Sequence, residues 1–476
     1  MPMRYLATAL AAGLLVTAPA HALHKNSPPA IRISKGAPTS HPTTPSWDRY
    51  VAFASSGDLV GTGNTTRQVF LFNLFAHDCD IGGIVIGCPL PAVPPIRQIT
   101  SGPGAPDNPT INQAGTLLAF DALGSYGGGT GPAAARRQIF LLNLATGDLR
   151  RVTNGTDGDS VRPSLSRAGG RMVFESSASL VGPSGVTQIY LYETNLGGLQ
   201  RLTDGAAPST NPALNKLASV VAFESRARHL GDGSDSGISQ IFWYDVKRSR
   251  LHQLTNGNGP STHPAVSSAV KSKTLRRSGI RRVAILFDST ATNLPGTAGG
   301  PGRQAYVGSV DLGDLPNLVQ LTPIPVDGCT PSSPGESSYP TIDPTGRRIA
   351  FISTGDFLCN GTTGRRAFVT DMRRVPAVLY QMTGRGDVQG PLSNFLGLWF
   401  LTLSTNDDLT GQGVCGHQLQ VIDYFTGRWS PATKVGQTPL EPIPGNPDAG
   451  CDDGNPCTAD TCGPGGVCKN TPIACP

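Results

Sequence analysis

The sequence predicts an all-β fold, a seven-bladed β-propeller closed by an N-terminal strand and followed by a short disulfide-rich tail. Two observations carry this prediction: a four-strand unit of about 50 residues that recurs along the chain, and an N-terminal segment that repeats the end of such a unit. A third is composition, since Gly (59) and Pro (41) make up about a fifth of the 476 residues. This high content of turn-forming Gly and Pro fits many short strands joined by turns.

The clearest unit runs from Pro163 to Asn211. It contains four short apolar runs, rich in β-branched and aromatic residues and bounded by Gly, Ser, Asn and Pro, which is the pattern of β-strands. We interpret these runs as the four antiparallel strands of one blade: Pro163–Ser166, Arg171–Glu175, Gln188–Tyr192 and Leu199–Thr203.

The same unit recurs in one register. Each copy opens on a proline, its second strand ends in Phe, its third strand begins with Gln or Arg, and most fourth strands end in Thr. The opening prolines are Pro42, Pro109, Pro163, Pro212, Pro264, Pro340 and Pro391. Seven copies predict seven blades.

The ring is predicted to close on the N-terminus. The segment from Ile31 to Pro42 matches Arg201 to Pro212 almost position for position. We therefore expect it to supply the outer strand of the last blade. That pairing would remove exposed strand edges, which otherwise invite aggregation.

These repeats resemble the TolB-type, WD40-like propeller repeat over about residues 31–430, through elements such as Ile349-Ala350-Phe351 and Leu202-Thr203. The Pro-Asp-Gly turn of that family survives only loosely, as Asp343 to Gly346. Members of the family include periplasmic transport accessories, propeller domains of peptidases and pectin-fragment lyases. The resemblance implies the fold and transfers no catalytic or binding residue, because the repeat motif is structural in all of them.

The two ends of the chain have other signatures. Residues 1–22 combine Arg4, an apolar run from Leu6 to Val16 and the small-x-small site Ala20-His21-Ala22, which is typical of a secretory signal. We therefore expect an exported protein, periplasmic, on the cell surface or extracellular. No later stretch reaches 18 continuous apolar residues, so no transmembrane segment is predicted. The propeller is assigned to residues 23–434, a Pro-rich linker to 435–450 and a Cys-rich module to 451–476.

Ten cysteines in an exported chain indicate disulfides. We predict the bridges Cys79–Cys88 and Cys329–Cys359, and pair Cys415 with one cysteine of the tail. The tail cysteines are Cys451, Cys457, Cys462, Cys468 and Cys475. The run from Cys451 to Cys462 is similar to the repeats of slime-mould extracellular proteins. That resemblance implies an extracellular module. Its stability should depend on disulfide bonds, since so short a segment buries little hydrophobic core.

One surface stands out as a candidate site. The residue before each opening proline should lie at the mouth of the central channel, where the first strand of every blade begins. These positions are His41, Asn108, Arg162, Asn211, His263 and Tyr339, with Gly390 in the last copy. Such a polar ring suits hydrogen bonding to a peptide or a sugar; the alternative is that these residues cap the loops and line a water-filled channel.

The sequence contains few other candidate catalytic or metal-binding residues. Two His in the ring fall short of a metal ligand set, so we expect no metal site and no cofactor, with calcium open in the tail or in acidic turns such as Asp157 to Asp159. The hydrolase elbow, the zincin motif and the nucleotide-binding loop are missing from the sequence. Four acids repeat in register after the second strands, and we interpret them as hydrogen-bond acceptors at blade edges. They are Asp121, Glu175, Glu224 and Asp288.

These observations favour a non-catalytic, exported scaffold that binds a protein or glycan partner at the channel mouth. Two alternatives stay open: a carbohydrate-active, lyase-like enzyme that works at the same channel mouth, and a surface or matrix structural protein. A basic run from Lys271 to Arg282 has no interleaved aromatics, so a nucleic-acid partner is not expected. We expect a monomer.

Overall fold

The computed structural model describes most of the chain between residues 30 and 423 and a hairpin near the C-terminus. The described residues are 30–32, 39–43, 50–63, 66–73, 80–81, 84–85, 96–227, 230, 235–271, 275–276, 283–295, 302–310, 317–322, 335–357, 364–372, 378–381, 388–394, 400–405, 418–423, 458–463 and 467–472. The description covers the backbone alone in 30–32, 39–43, 80–81, 84–85, 235–236, 389–394, 400–405, 418–423, 458–463 and 467–470, and at positions 73, 371, 378 and 380.

The first strands belong to two different sheets. Strand β1 (Ala30–Arg32) pairs with a strand near the end of the chain. Blade one follows, and a two-stranded ribbon interrupts it before its outer strand. Its strands are β2 (Thr39–Thr43), β3 (Tyr50–Ser55), β4 (Gln68–Asn73) and β7 (Ile96–Gln98), and the ribbon is β5 (Asp80–Ile81) with β6 (Ile84–Val85).

Blades two to four each contain four consecutive antiparallel strands. Blade two is β8 (Asp107–Ile111), β9 (Leu117–Leu123), β10 (Arg137–Asn143) and β11 (Leu149–Arg151), with short 3-10 turns at Tyr126–Gly128 and Pro132–Ala135. Blade three is β12 (Ser160–Leu165), β13 (Arg171–Ser176), β14 (Gln188–Glu193) and β15 (Leu199–Arg201). Blade four is β16 (Ser209–Leu214), β17 (Val220–Ala227), β18 (Asp235–Asp245) and β19 (Arg250–Gln253).

Blades five and six repeat this order. Blade five is β20 (Ser261–Val266), β21 (Ala284–Ser289), β22 (Gln304–Ser309) and β23 (Leu318–Gln320). Blade six is β24 (Ser337–Ile342), β25 (Arg348–Ser353), β26 (Arg366–Asp371) and β27 (Val378–Gln381). The last strands are β28 (Val388–Asn394), β29 (Phe400–Thr405), β30 (Gln418–Asp423), β31 (Thr458–Gly463) and β32 (Val467–Pro472).

A buried Gln–Thr pair explains two of the repeated motifs. In blade three, the Thr203 hydroxyl donates to Gln188 Oε1 at 2.5 Å and accepts from the Ile189 amide at 3.0 Å, while Gln188 Nε2 donates to the Gly205 carbonyl at 2.6 Å. The pair ties the third strand to the fourth and satisfies polar groups that burial would otherwise leave unpaired. The equivalent hydroxyl-to-amide bonds are Thr100–Gln68, Thr153–Gln138, Thr255–Gln240 and Thr322–Gln304.

The core lies between blades. Five apolar clusters join blade one to two, two to three, three to four, four to five and five to six. Within each blade, the Phe of the second strand pairs in register with an aromatic ring of the third strand. The pair Phe223 and Phe242, for example, stacks with its ring centroids 6.0 Å apart. Such buried aromatic pairs add to the burial of apolar area.

The predicted count of seven blades needs a correction. Blades one to six are shown as packed units, each joined to a neighbour by one of those clusters. Strands β28, β29, β30 and β1 form a further four-stranded sheet, for which little beyond the backbone is described. This sheet is assembled from both ends of the chain, and Ile33-Ser34, its counterpart of the Leu-Thr ending, lies outside the described residues. The structure therefore shows six packed blades.

The predicted pairing of the two chain ends is confirmed, because Ile31 lies opposite Val421 in antiparallel register. The disulfide-rich tail is not shown: in its place the structure has the hairpin β31–β32, in which Cys462 lies opposite Cys468. The three predicted bridges each involve cysteines outside the described residues, as do residues 1–22 and the 435–450 linker. Over the described part, no helix is long and apolar enough to cross a membrane.

Candidate functional site at the channel mouth

The positions before the opening prolines share an unusual backbone conformation. Asn108, Arg162, Asn211, His263 and Tyr339, called the mouth residues below, have φ between 47° and 55°. This left-handed region is uncommon for non-Gly residues, and a following proline restricts the backbone further. In each blade concerned, the pairing of the first and second strands shifts register across this position. A bulge therefore holds every mouth residue. His41, on β2, is described by its backbone alone.

The four acids after the second strands lie directly behind the mouth residues. Asp121, Glu175, Glu224 and Asp288 are all buried, and we call them the carboxylate belt. Each accepts a hydrogen bond from the side chain of the mouth residue in its own blade. Each also accepts one from the backbone N–H of the mouth residue in the next blade. The belt therefore connects blade two to blade six through one repeated pair of contacts.

The distances are short and regular. The side-chain bonds are Asn108 Nδ2–Asp121 at 2.7 Å, Arg162–Glu175 at 2.8 Å, Asn211 Nδ2–Glu224 at 2.8 Å and His263 Nδ1–Asp288 at 2.8 Å. The backbone bonds are Arg162 N–Asp121 at 3.1 Å, Asn211 N–Glu175 at 2.6 Å, His263 N–Glu224 at 2.7 Å and Tyr339 N–Asp288 at 2.9 Å. Their role as acceptors, which the sequence predicted, is confirmed.

The densest cluster surrounds Asp288. Besides its bonds to His263 and to the Tyr339 backbone, this carboxylate accepts from the Thr262 hydroxyl at 2.7 Å and forms an ion pair with Arg303. The imidazole of His263 packs against the ring of Tyr339, with centroids 4.0 Å apart. Asp288 therefore fixes the orientation of two mouth residues and one guanidinium.

Burial and charge set the pKa of each acid in the belt. Burial raises the pKa of Asp121 against the opposing charge of Arg137, and that of Glu175 against the charge of Arg162. Burial also raises the pKa of Glu224, which no guanidinium contacts among the described residues and which lies near the charge of Asp288. At Asp288, burial is outweighed by the His263 hydrogen bond and the charges of His263 and Arg303, so its pKa is lowered.

The most exposed of the paired groups at the mouth are hydrogen-bond donors. The Arg162 side chain is 47% exposed, that of His263 32%, and those of Arg137 and Arg303 25% each, whereas the carboxylates behind them are at most 5% exposed where they form these pairs. An approaching molecule therefore meets these guanidinium and imidazole groups before it meets the carboxylate belt, and the partly exposed carboxylate beside Asn108, Asp107, is paired with Arg67. Such a surface favours a ligand with hydrogen-bond acceptors, above all carboxylates.

Glu224→Gln is expected to leave the free energy of unfolding at pH 7 unchanged or slightly higher, within about 1 kcal/mol. Both of its hydrogen bonds end on Oε1, which glutamine retains, and the substitution removes a buried charge. Because burial raises the pKa of Glu224, the parent should lose stability as the pH rises from the ordinary glutamate pKa through the raised one. Urea unfolding across pH 4 to 8 should show a smaller loss in the variant. A variant several kcal/mol less stable would contradict this account.

The structure brings together five of the six predicted mouth residues and adds two arginines that the sequence analysis missed. Arg137 and Arg303 each precede the Gln that opens a third strand, and each pairs with the acid of its own blade. An arginine directly before the recurring Gln of two repeats is the sequence pattern that could have revealed them.

The acidic turn from Asp157 to Asp159 already forms hydrogen bonds within the protein. Asp157 accepts from the Ser179 amide at 3.0 Å, and Asp159 accepts from the Arg137 amide at 2.8 Å. Within the described ranges, no group of three or more His, Cys, Asp or Glu side chains is placed to hold a metal ion.

Two comparisons with known proteins gave matches. Residues 450–473 match the family described as the Dictyostelium (slime mold) repeat, which confirms the resemblance predicted from the tail cysteines. No curated protein matches the chain.

Solved structures with a similar fold include propellers of several kinds. A protein assigned as TolB from Agrobacterium tumefaciens is 17% identical, with a TM-score of 0.37 over 60% of this chain and 80% of that one. The β-propeller domain of the Trilobed protease from Pyrococcus furiosus is 10% identical, with a TM-score of 0.49 over 82% and 96%. Oligogalacturonate lyase from Vibrio parahaemolyticus is 11% identical, with a TM-score of 0.47 over 84% and 98%. At these identities the likeness concerns the fold alone.

Proposed function

We propose that the protein is an exported, non-catalytic β-propeller whose channel mouth binds a carboxylate-rich segment of a partner, either a protein or an acidic glycan. Export rests on the signal-like residues 1–22. Recognition rests on the mouth residues, with Arg162 as the main contact because its guanidinium is half exposed.

One observation supports this function above the others: the carboxylates at the mouth are engaged, and the donors are accessible. Each acid of the belt is buried and bonded to two blades. An acid that must exchange protons with a substrate needs contact with it, and these acids lie behind the mouth residues. The exposed guanidinium groups, in contrast, can bind carboxylates directly, in the two-point geometry that arginine favours.

Arg162→Gln is expected to weaken partner binding about tenfold and to reduce its dependence on salt, because an accessible cation at the centre of the site is lost. The measurement is capture from envelope extract, followed by titration of two probes, a poly-glutamate peptide and polygalacturonate. The first probe represents an acidic protein segment, and the second an acidic glycan.

Arg248→Gln is the matched control, since Arg248 is also half exposed but pairs with Asp245 on the outer hairpin of blade four. It should bind like the parent. If the Arg162 and Arg248 variants retain the same affinity for every captured partner and for both probes, the mouth is not the binding surface.

A second function is favoured by one feature, the His263–Asp288 pair. Asp288 holds Nδ1 of an imidazole that is 32% exposed, so the other ring nitrogen is left for proton transfer. A lyase acting on acidic sugars needs such a base. The appearance of unsaturated sugar ends on incubation with polygalacturonate, and its loss in His263→Gln, would replace the binding function with this one.

A further inference from the structure

Glu224 is the one acid of the carboxylate belt that pairs with no guanidinium or ammonium group of the described residues. In the other three blades of the belt, an arginine pairs with the acid. The pairs are Arg137–Asp121, Arg162–Glu175 and Arg303–Asp288. In blades two and five that arginine directly precedes the Gln that opens the third strand, whereas blade four has Ser239 at this position and the neutral Asn211 as its mouth residue. Blade four therefore supplies no cation to its own acid.

The two oxygens of Glu224 differ in their contacts. Oε1 accepts from Asn211 Nδ2 at 2.8 Å and from the His263 amide at 2.7 Å. Oε2 accepts from none of the described residues, yet it is not closed off from solvent. In Glu175, for comparison, Oε1 accepts from Arg162 and Oε2 from the Asn211 amide. Asp121 and Asp288 also use both oxygens, so Glu224 Oε2 is the open acceptor of the belt.

This open oxygen lies in a recess. Glu224 is 6% exposed, and the two residues that it holds, Asn211 and His263, are the mouth residues of blades four and five. Burial raises the pKa of Glu224, and the nearby charge of Asp288 adds to the effect, because both disfavour the charged form. A cation that reaches Oε2 would offset this cost more than a neutral donor would, since hydrogen bonds between charged groups are the stronger ones.

The shape of the acceptor favours one kind of cation. A guanidinium binds a carboxylate best through two parallel hydrogen bonds, but Oε1 of Glu224 already accepts two. An ammonium group is a compact point charge, and in lysine it ends a flexible four-carbon stem that can enter a recess. The ammonium of an amino sugar, in contrast, is attached directly to a bulky ring. A lysine side chain therefore fits Oε2 best.

We propose that Glu224 Oε2 binds the ammonium group of a lysine in the partner, while neighbouring carboxylates of the partner contact Arg162. The inference rests on the function proposed for the mouth and narrows it: the partner is a protein segment with a lysine among acidic residues, rather than an acidic glycan. Arg162 attracts any acidic ligand, and Glu224 selects among them.

The test is a calorimetric titration of the full chain with N-acetyl-hexaglutamate amide and with the peptides that carry one lysine at each of its positions in turn. Each lysine peptide has a counterpart with Nε-acetyl-lysine, which keeps the stem and removes the charge. At least one lysine peptide should bind roughly fivefold tighter, or more, than its acetylated counterpart. Glu224→Gln should abolish this preference and leave the affinity for the acetylated peptide unchanged, because glutamine retains the oxygen that holds Asn211 and His263.

Glu193→Gln is the matched control. It also removes a carboxylate, one that is 37% exposed and pairs with Arg171 at the opposite end of the strands from the mouth. This variant should keep the full preference for lysine. Circular dichroism shows whether each variant has retained the fold.

Arg162→Gln separates this inference from the function on which it rests, since it should weaken every acidic peptide, with or without lysine. If no peptide binds the parent, or if Arg162→Gln binds all of them as the parent does, both proposals fail. If the acidic peptides bind but lysine brings no preference, or if Glu224→Gln retains the preference, the lysine contact alone is overturned. Tighter binding of polygalacturonate than of every lysine peptide would also overturn it and would identify an acidic glycan as the partner.

Discussion

Asp288→Ala is expected to lower the free energy of unfolding by about 3–5 kcal/mol, because it removes the carboxylate from a buried, charge-paired cluster. The substitution leaves the Arg303 guanidinium, the His263 imidazole and the Tyr339 amide without their shared acceptor. Asp288→Asn retains an oxygen and should lose less, about 1–3 kcal/mol. Urea unfolding followed by circular dichroism provides the measurement.

The pH dependence of Asp288 should run opposite to that of Glu224. Its lowered pKa means that its stabilising contribution is present above the ordinary aspartate pKa and is lost as the pH falls through the lowered one. Asp204→Ala is the matched control, since its carboxylate is 80% exposed while pairing with Arg201, and it should change stability by less than about 1 kcal/mol. If both variants behave alike, the belt contributes nothing beyond a surface ion pair.

Phe223→Ala should cost about 3–5 kcal/mol, since it opens a cavity in the core between blades three and four. Phe223 is fully buried and stacks on Phe242. It also precedes Glu224 on β17, so a collapsed cavity would displace the acid that holds Asn211 and His263. We therefore expect weaker partner binding together with the loss of stability.

Phe223→Leu refills most of the volume and should recover at least half of the lost stability. Leu196→Ala, at a position 83% exposed, should have an effect below about 0.5 kcal/mol. A loss below 1 kcal/mol in Phe223→Ala would show that adjacent blades do not depend on this cluster.

Much of the scaffold could be predicted from the sequence because each motif has a local physical cause. The Gln that opens a third strand and the Thr that ends a fourth form a single buried pair. The second-strand Phe recurs because its ring must stack in register with the third strand. The Gln–Thr pair recurs in blades one to five and the aromatic pair in blades one to six, so both appear as repeats in the amino-acid sequence.

The count of packed blades and the geometry of the mouth were harder to predict. Periodicity does not distinguish a packed blade from strands contributed by both ends of the chain. The positive φ of Arg162, His263 and Tyr339 contradicts the usual preference before proline, and it goes with a bulge between the first and second strands, which residue propensities do not reveal.

The backbone bonds of the carboxylate belt have an evolutionary consequence. Contact between neighbouring blades at the mouth uses a main-chain N–H, which every residue except proline supplies. Asn, Arg, His and Tyr all occupy these positions and make that same bond. Different side chains can therefore occupy these positions while the backbone contact between neighbouring blades is kept, so the chemistry of the mouth can change without rebuilding the scaffold.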